Sequence, residues 1–130
     1  MEREYINPPD IAPPPANLYN HVVKVGSTVY ISGQVPRGLD GEAVYPGDAA
    51  GQIRQVWANL EIAIKAAGGT LQDIVKTTTY VVGSENLGKI REVRMTLLPE
   101  EGRPTSTTVV VAGLADPDFL VEVEAVAELR

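Results

Sequence analysis

The sequence predicts an α+β fold of the order ββαβαββ, a mixed sheet with two helices on one face. Two segments with apolar residues at helical spacing are parted by a β-branched run. A β-rich pair around a two-residue turn precedes them, and two strand-like runs follow. With 130 residues the chain is expected to form one domain, residues 1–130, because a division would leave each half a marginal core.

Residues 7–16 read Asn-Pro-Pro-Asp-Ile-Ala-Pro-Pro-Pro-Ala. The prolines remove backbone donors and favour extended backbone, so this arm is ordered only where it lies on something. Val22–Val25 and Thr28–Val35 flank Gly26-Ser27 as a predicted hairpin, whose second strand ends in the polar Ser32-Gly33-Gln34. Pro36 to Gly47 is rich in Gly and Pro without a period, and is a loop. From Asp48 to Ala67 the apolar residues Ile53, Val56, Trp57, Leu60 and Ile64 recur three and four apart, predicting a helix that Gly68-Gly69 ends. Thr70 to Asp73 resembles a capping box for a single turn, and Ile74–Val82 reads as a buried strand. Ser84 is the expected N-cap of a second helix that carries Glu85 in its first turn. That helix runs to Leu98, where Pro99 and then Gly102 to Pro104 stop it. Thr105–Ala112 is a β-branched strand. In Phe119–Leu129 the apolar Val121, Val123, Ala125, Ala127 and Leu129 alternate with Glu122, Glu124 and Glu128, giving one apolar and one acidic face. A sheet with helices on one face only leaves its other face uncovered. The expectation is an apolar second face, covered by assembly into a closed trimer.

Composition narrows the function. Hydrophobic residues at 44% and charged residues at 22% are ordinary for a folded chain. The net charge of −6 repels phosphate backbones, which disfavours a nucleic-acid partner. The absence of cysteine rules out disulfides, thiolate catalysis and cysteine-bearing zinc sites. The N-terminus lacks the apolar run of a signal peptide, and no stretch reaches the ~20 apolar residues of a membrane span, so a cytoplasmic protein with no membrane partner is expected. One histidine cannot furnish a transition-metal ligand set, and neither a phosphate loop, a dinucleotide fingerprint nor an EF-hand occurs. No metal and no cofactor are expected. The hydroxyls of Ser32, Ser106, Thr107 and Thr108 lack the Gly-x-Ser-x-Gly elbow of serine hydrolases.

Charged residues remain as candidates. At about 100° per residue, Arg94 falls within the apolar arc of Leu87, Ile90, Val93, Leu97 and Leu98, with Arg91 at its edge. A guanidinium that faces a core is more often structural, paired with a strand glutamate or snorkelling to a subunit contact, than a clamp for a ligand carboxylate. Glu122, Glu124 and Glu128 share one strand face, where neighbouring carboxylates raise one another's pKa and can make one of them a general acid or base; most such rows are simply solvated. The lone His21 reads more readily as a packing residue than as a catalyst.

Several segments occur in a telling order: Tyr19 ahead of the hairpin, SGQ at Ser32–Gln34, Gln52 and Asn59 on a helix ending in AAGG, IVKTTTYVV at Ile74–Val82, and VEVEAVA at Val121–Ala127. Together they make nearly the whole chain resemble the Rid family, also called YjgF, translation-inhibitor or endoribonuclease L-PSP proteins. The resemblance implies a chorismate-mutase-like fold, a homotrimer with a central barrel of sheets, and clefts between subunits. Members with the best-known activity hydrolyse reactive imines and enamines, such as 2-iminopropionate, to keto acids and ammonia without a cofactor. Carried onto this chain, the family pattern implies catalytic roles for Tyr19 and Glu122 and ligand contacts from Ser32 and Gly33. The chain departs from the pattern where the family reads Pro-Ala-Arg-Ser. Here Pro104-Thr105-Ser106-Thr107 puts Ser106 in place of the carboxylate-binding arginine, with Thr107 beside it, while Arg91 replaces the family's helix asparagine. A clamp relocated to Arg91 or Arg94 is the compensation this implies.

Three functions compete. The first is an imine deaminase acting on a small carboxylate-containing, carbonyl or imino metabolite. The second, favoured by the missing arginine, is a noncatalytic metabolite-binding or protein-interaction module. RNA cleavage or translation inhibition ranks last, on one histidine and a net charge of −6. A hydrogen bond to a charged group contributes about 1.5–3 kcal/mol, so an uncompensated loss predicts roughly ten- to a hundredfold slower hydrolysis, part of which Ser106→Arg is expected to recover.

Overall fold

In the computed structural model, which describes residues 1–130, the Asp48 carboxylate accepts the Gly51 N–H at 3.0 Å and caps helix α1, Ala49–Ala66. The predicted stripe is its buried face: Ile53, Val56, Trp57, Leu60 and Ile64 are almost fully enclosed. They share one core with Val29 and Ile31 of β3 (Thr28–Gln34) and with Val121, Val123, Ala125 and Ala127 of β6 (Val121–Glu128). Each of the valines, leucines and isoleucines among them contributes about 1.5–3 kcal/mol on burial. Helix α2 (Leu87–Leu97) adds Ile90 and Val93 to that core.

The remaining strands are β2 (Val22–Val25), β4 (Ile74–Val82) and β5 (Thr105–Val111). The expected ββαβαββ order is present, preceded by one further strand, β1 (Arg3–Ile6). β1 lies on the sheet edge, antiparallel to β2 with Arg3 opposite Val25 and Ile6 opposite Val22. Backbone pairing sustains it, since none of its side chains is fully buried, and four residues are too few for a readable period. The six strands form one sheet in the order β1-β2-β3-β6-β4-β5, in which β4 and β5 are the parallel pair that α2 crosses between. No helix is long and apolar enough to cross a membrane.

The proline-rich arm does lie on something, because Ile11 and Ala12 are buried. His21 pins it, with Nε2 donating to the Ala12 carbonyl at 2.7 Å and Nδ1 accepting from Gln34 Nε2 at 3.2 Å, a packing role for the lone histidine. The expected Ser84 N-cap does not form. Gly83 turns the chain out of β4 with φ 83°, Ser84–Asn86 make a 3-10 turn, and α2 begins only at Leu87. Nor is the uncovered face of the sheet apolar. It carries Tyr30, Lys76, Thr78, Glu124 and Val126 around one shallow hollow, because the positions that alternate with the core residues of β4 and β6 are mostly polar.

Candidate functional site

The end of β3 is irregular where the sequence is polar. Ile31 pairs with Ala125 and Gln34 with Val123, so Ser32 and Gly33 together face the one intervening residue, Glu124. This bulge lets both Ile31 and Gln34 turn into the core, at 3% and 2% exposure, and leaves Ser32 and Gly33 on the uncovered face. Glu122 then lies directly against Gly33. A Cβ on residue 33 would sit 2.8 Å from Glu122 Cδ, so glycine is required for the carboxyl to occupy that place.

Around this contact opens a cleft of about 480 Å³, whose walls include Tyr19, Ser32, Gly33, Arg37, Phe119 and Glu122. The four residues expected from the sequence thus meet, and two others join them. The Arg37 guanidinium stacks over the Phe119 ring, 5.3 Å from its centroid. Two polar groups of α1 hold the loops that carry this pair. Asn59 Nδ2 donates to the Val35 carbonyl at 3.1 Å; Gln52 Nε2 donates to the Asp118 carbonyl at 2.8 Å, and its Oε1 accepts the Leu120 N–H at 2.8 Å. Neither Arg37 nor Phe119 stands out in the sequence as a site residue, since Arg37 lies in a segment without period, Phe119 only opens the alternating run, and both are placed by helix side chains distant in sequence. The buried Gln52 and Asn59 were the available signal, two amides on an apolar stripe that had to find backbone partners.

Ser32 Oγ and Arg37 Nε are buried without hydrogen-bond partners, an expensive state for polar groups in a protein interior. Burial raises the Glu122 pKa, the neighbouring Glu124 raises it further, and Arg37 opposes both. The other two glutamates of the row are differently engaged. Glu124 accepts the Tyr80 hydroxyl at 2.6 Å, a bond that pushes the tyrosine pKa up. Glu128 accepts the hydroxyls of Ser27 and Thr28, which hold it below the usual carboxylate range.

The arginines lie elsewhere. Arg94 Nη1 donates to Ser106 Oγ at 2.7 Å and Nη2 to Thr77 Oγ1 at 3.4 Å, and no glutamate pairs with it. The guanidinium therefore reaches from α2 to the strand position where the family pattern would have had an arginine. Burial, and then Arg103, push its pKa down. Ser106 is in register with Thr77, and Thr77 with the core residue Ala125, which places this contact on the helix side of the sheet. Thr107 is in register with Thr78 and thence Glu124, on the opposite side. Of the eight expected site residues, Tyr19, Ser32, Gly33 and Glu122 line one cleft, Arg91, Arg94 and Ser106 line another, and Thr107 lines neither.

Comparison with known proteins shows the family and the fold. The sequence profile of the family described as Endoribonuclease L-PSP matches residues 10–129. The 3-aminoacrylate deaminase RutC of Acinetobacter baylyi is 34% identical over 129 residues, 99% of this chain and 100% of that protein. The crystal structure of YyfA from Yersinia pestis, of the conserved Rid protein family, matches with a TM-score of 0.90 at 29% identity, covering 98% of this chain and 100% of that one. Escherichia coli TdcF with bound serine matches with a TM-score of 0.88 at 30% identity, covering 98% and 99%.

Proposed function

The chain belongs to the Rid family, the endoribonuclease L-PSP proteins, and from that premise we propose that it binds small imino or carbonyl acids and hydrolyses imines in clefts shared between the subunits of a homotrimer. The observation that carries the reading is the half-buried Glu122 carboxyl, set against Gly33 beside the partnerless Ser32 hydroxyl. A carboxyl whose pKa is raised above the ordinary glutamate range holds a proton more firmly than a free one, which suits it to take a proton and return it. In the proposed reaction Glu122 takes a proton from water as its oxygen attacks the imine carbon, and passes it to the nitrogen to give a carbinolamine. It then carries the hydroxyl proton to the nitrogen as the C–N bond breaks, releasing ammonia and leaving the keto acid. Tyr19, at the cleft rim, is assigned to orient the bound acid through its hydroxyl.

The placement of the charges supports sharing between subunits, because the guanidinium in Glu122's own cleft, Arg37, is stacked on Phe119 and the expected clamp lies elsewhere. Glu122 is in register with Tyr80 on the uncovered face, whereas Arg94 meets Ser106 on the helix side, so the two cannot close on one small molecule within a single chain. A neighbouring copy can bring its arginines to the first copy's cleft. The uncovered face and the edge strand β5, where Val109 and Val110 are 38% and 49% exposed, are the surfaces such an assembly would cover.

The noncatalytic reading draws on one observation, the serine at position 106 in place of the family's arginine. Ammonia release from freshly generated 2-iminopropionate separates the two. Acceleration by the protein that Glu122→Gln removes supports hydrolysis, whereas tight keto-acid binding with no acceleration supports a sensor. RNA cleavage remains the weakest of the three, against a net charge of −6.

A further inference from the structure

Three arginines surround one cavity without a single acid. Arg91 and Arg94 from α2 and Arg103 from the loop before β5 line a hollow of about 190 Å³, closed below by Pro104 and Ser106. The chain's ion pairs are Lys65–Glu61, Lys89–Glu92 and Arg130–Asp73, so none involves these three. Their hydrogen bonds go to neutral groups: Arg94 to the Ser106 and Thr77 hydroxyls, and Arg103 Nε to the Pro99 carbonyl at 3.2 Å. Such acceptors fix direction and leave the positive charge uncompensated.

In a chain of net charge −6, with 17 acidic residues from which partners could come, three arginines gathered around one hollow without an acid form a local positive site that attracts an external anion. The number of arginines decides which kind. One carboxylate would engage the partly buried Arg94 and leave the two exposed guanidiniums beside it unused, whereas a doubly charged group offers enough oxygens for two bidentate forks. We propose that this cavity binds a doubly charged oxyanion, so that the protein prefers small dianionic acids, dicarboxylates or phosphorylated acids, to monocarboxylates. Arg94 takes the place nearest the strand, braced by Ser106 and Thr77, and Arg91 and Arg103 provide the second charge. The inference rests on the proposed function only in taking the bound group to be the acid end of the substrate.

The test is direct binding by calorimetry of acetate, succinate and inorganic phosphate at low ionic strength, alongside ammonia release from the imino acids derived from alanine and from aspartate. Succinate, phosphate or both should bind at least about tenfold more tightly than acetate, the scale of one charge-assisted contact. Succinate alone would identify a dicarboxylate and phosphate alone a phosphorylated acid, and either supports the proposal. Arg91→Gln and Arg103→Gln alter exposed side chains, which keeps folding out of the comparison, and each should remove most of the preference. Equal binding of all three anions, or a preference that survives Arg103→Gln, overturns the proposal. Turnover of 2-iminopropionate without dianion preference would sink this inference alone; dianion binding with no imine hydrolysed would sink the deaminase reading and leave it standing.

Discussion

Glu122 has a position that costs it ionisation, and its chemistry can be read from that cost. Burial and Glu124 both disfavour its charge. If its carboxylate is the base, the acid limb of the kcat/KM profile should lie above the ordinary glutamate value of about 4.3. Glu124→Gln removes one of the two raising influences and should move that limb to lower pH without abolishing turnover. Glu122→Gln should cost roughly 10²–10⁴ in rate. Stability should change in the other direction. A raised folded pKa contributes stability that is fully present below the unfolded pKa and is lost as pH rises through the folded value. Thermal melts should therefore show Glu122→Gln gaining on the wild type as pH rises through that window, a local exchange of stability for function. Gly33→Ala tests the geometry, since the new Cβ would press on Glu122 Cδ and Cγ. Overpacking of this kind costs about 1–3 kcal/mol, and activity should fall with the displaced carboxyl even where the fold persists.

Among the elements, β3 and α2 carry the site, and they differ in how plainly the sequence announces them. SGQ at the end of β3 was visible as polar residues in a strand, but the bulge that turns Gln34 inward is a matter of pairing with β6, which no local pattern encodes. The apolar stripe of α1 and the alternation in β6 appear in the structure as read, because single periodicities fix which side is buried. β1 escaped notice for the opposite reason, as an edge strand held by its backbone. In α2, the wheel put Arg94 within the apolar arc, and the structure gives it hydroxyls as partners where a glutamate was one expectation. This revises the expected rescue by Ser106→Arg. The Arg94 guanidinium already occupies that hydroxyl, so the single substitution should set two cations against each other and lower stability, with little recovered activity. Ser106→Arg combined with Arg94→Ala should restore stability and activity together, a coupling of about 0.5–3 kcal/mol in a double-mutant cycle.

At the scale of the whole molecule, one chain holds two incomplete halves of the proposed site on opposite faces of its sheet. The trimer was expected from an uncovered apolar face; that face is mixed, and the stronger argument is now the separation of Glu122 from Arg94. Sedimentation at micromolar concentration should give three times the mass of the 13.9 kDa chain. A trimer alone does not locate the site, but exchange of subunits does. Glu122→Gln and Arg94→Gln should each be inactive alone, and each retains the half that the other lacks. After the two proteins are mixed, dissociated in mild denaturant and reassembled, random cyclic trimers should contain about a quarter of interfaces with both native halves, so ammonia release from freshly generated imino acid should recover to about a quarter of the wild-type rate. A mixture that stays as inactive as its components, while sedimentation shows that mixed trimers have formed, would contradict a site shared between Glu122 of one subunit and Arg94 of the next.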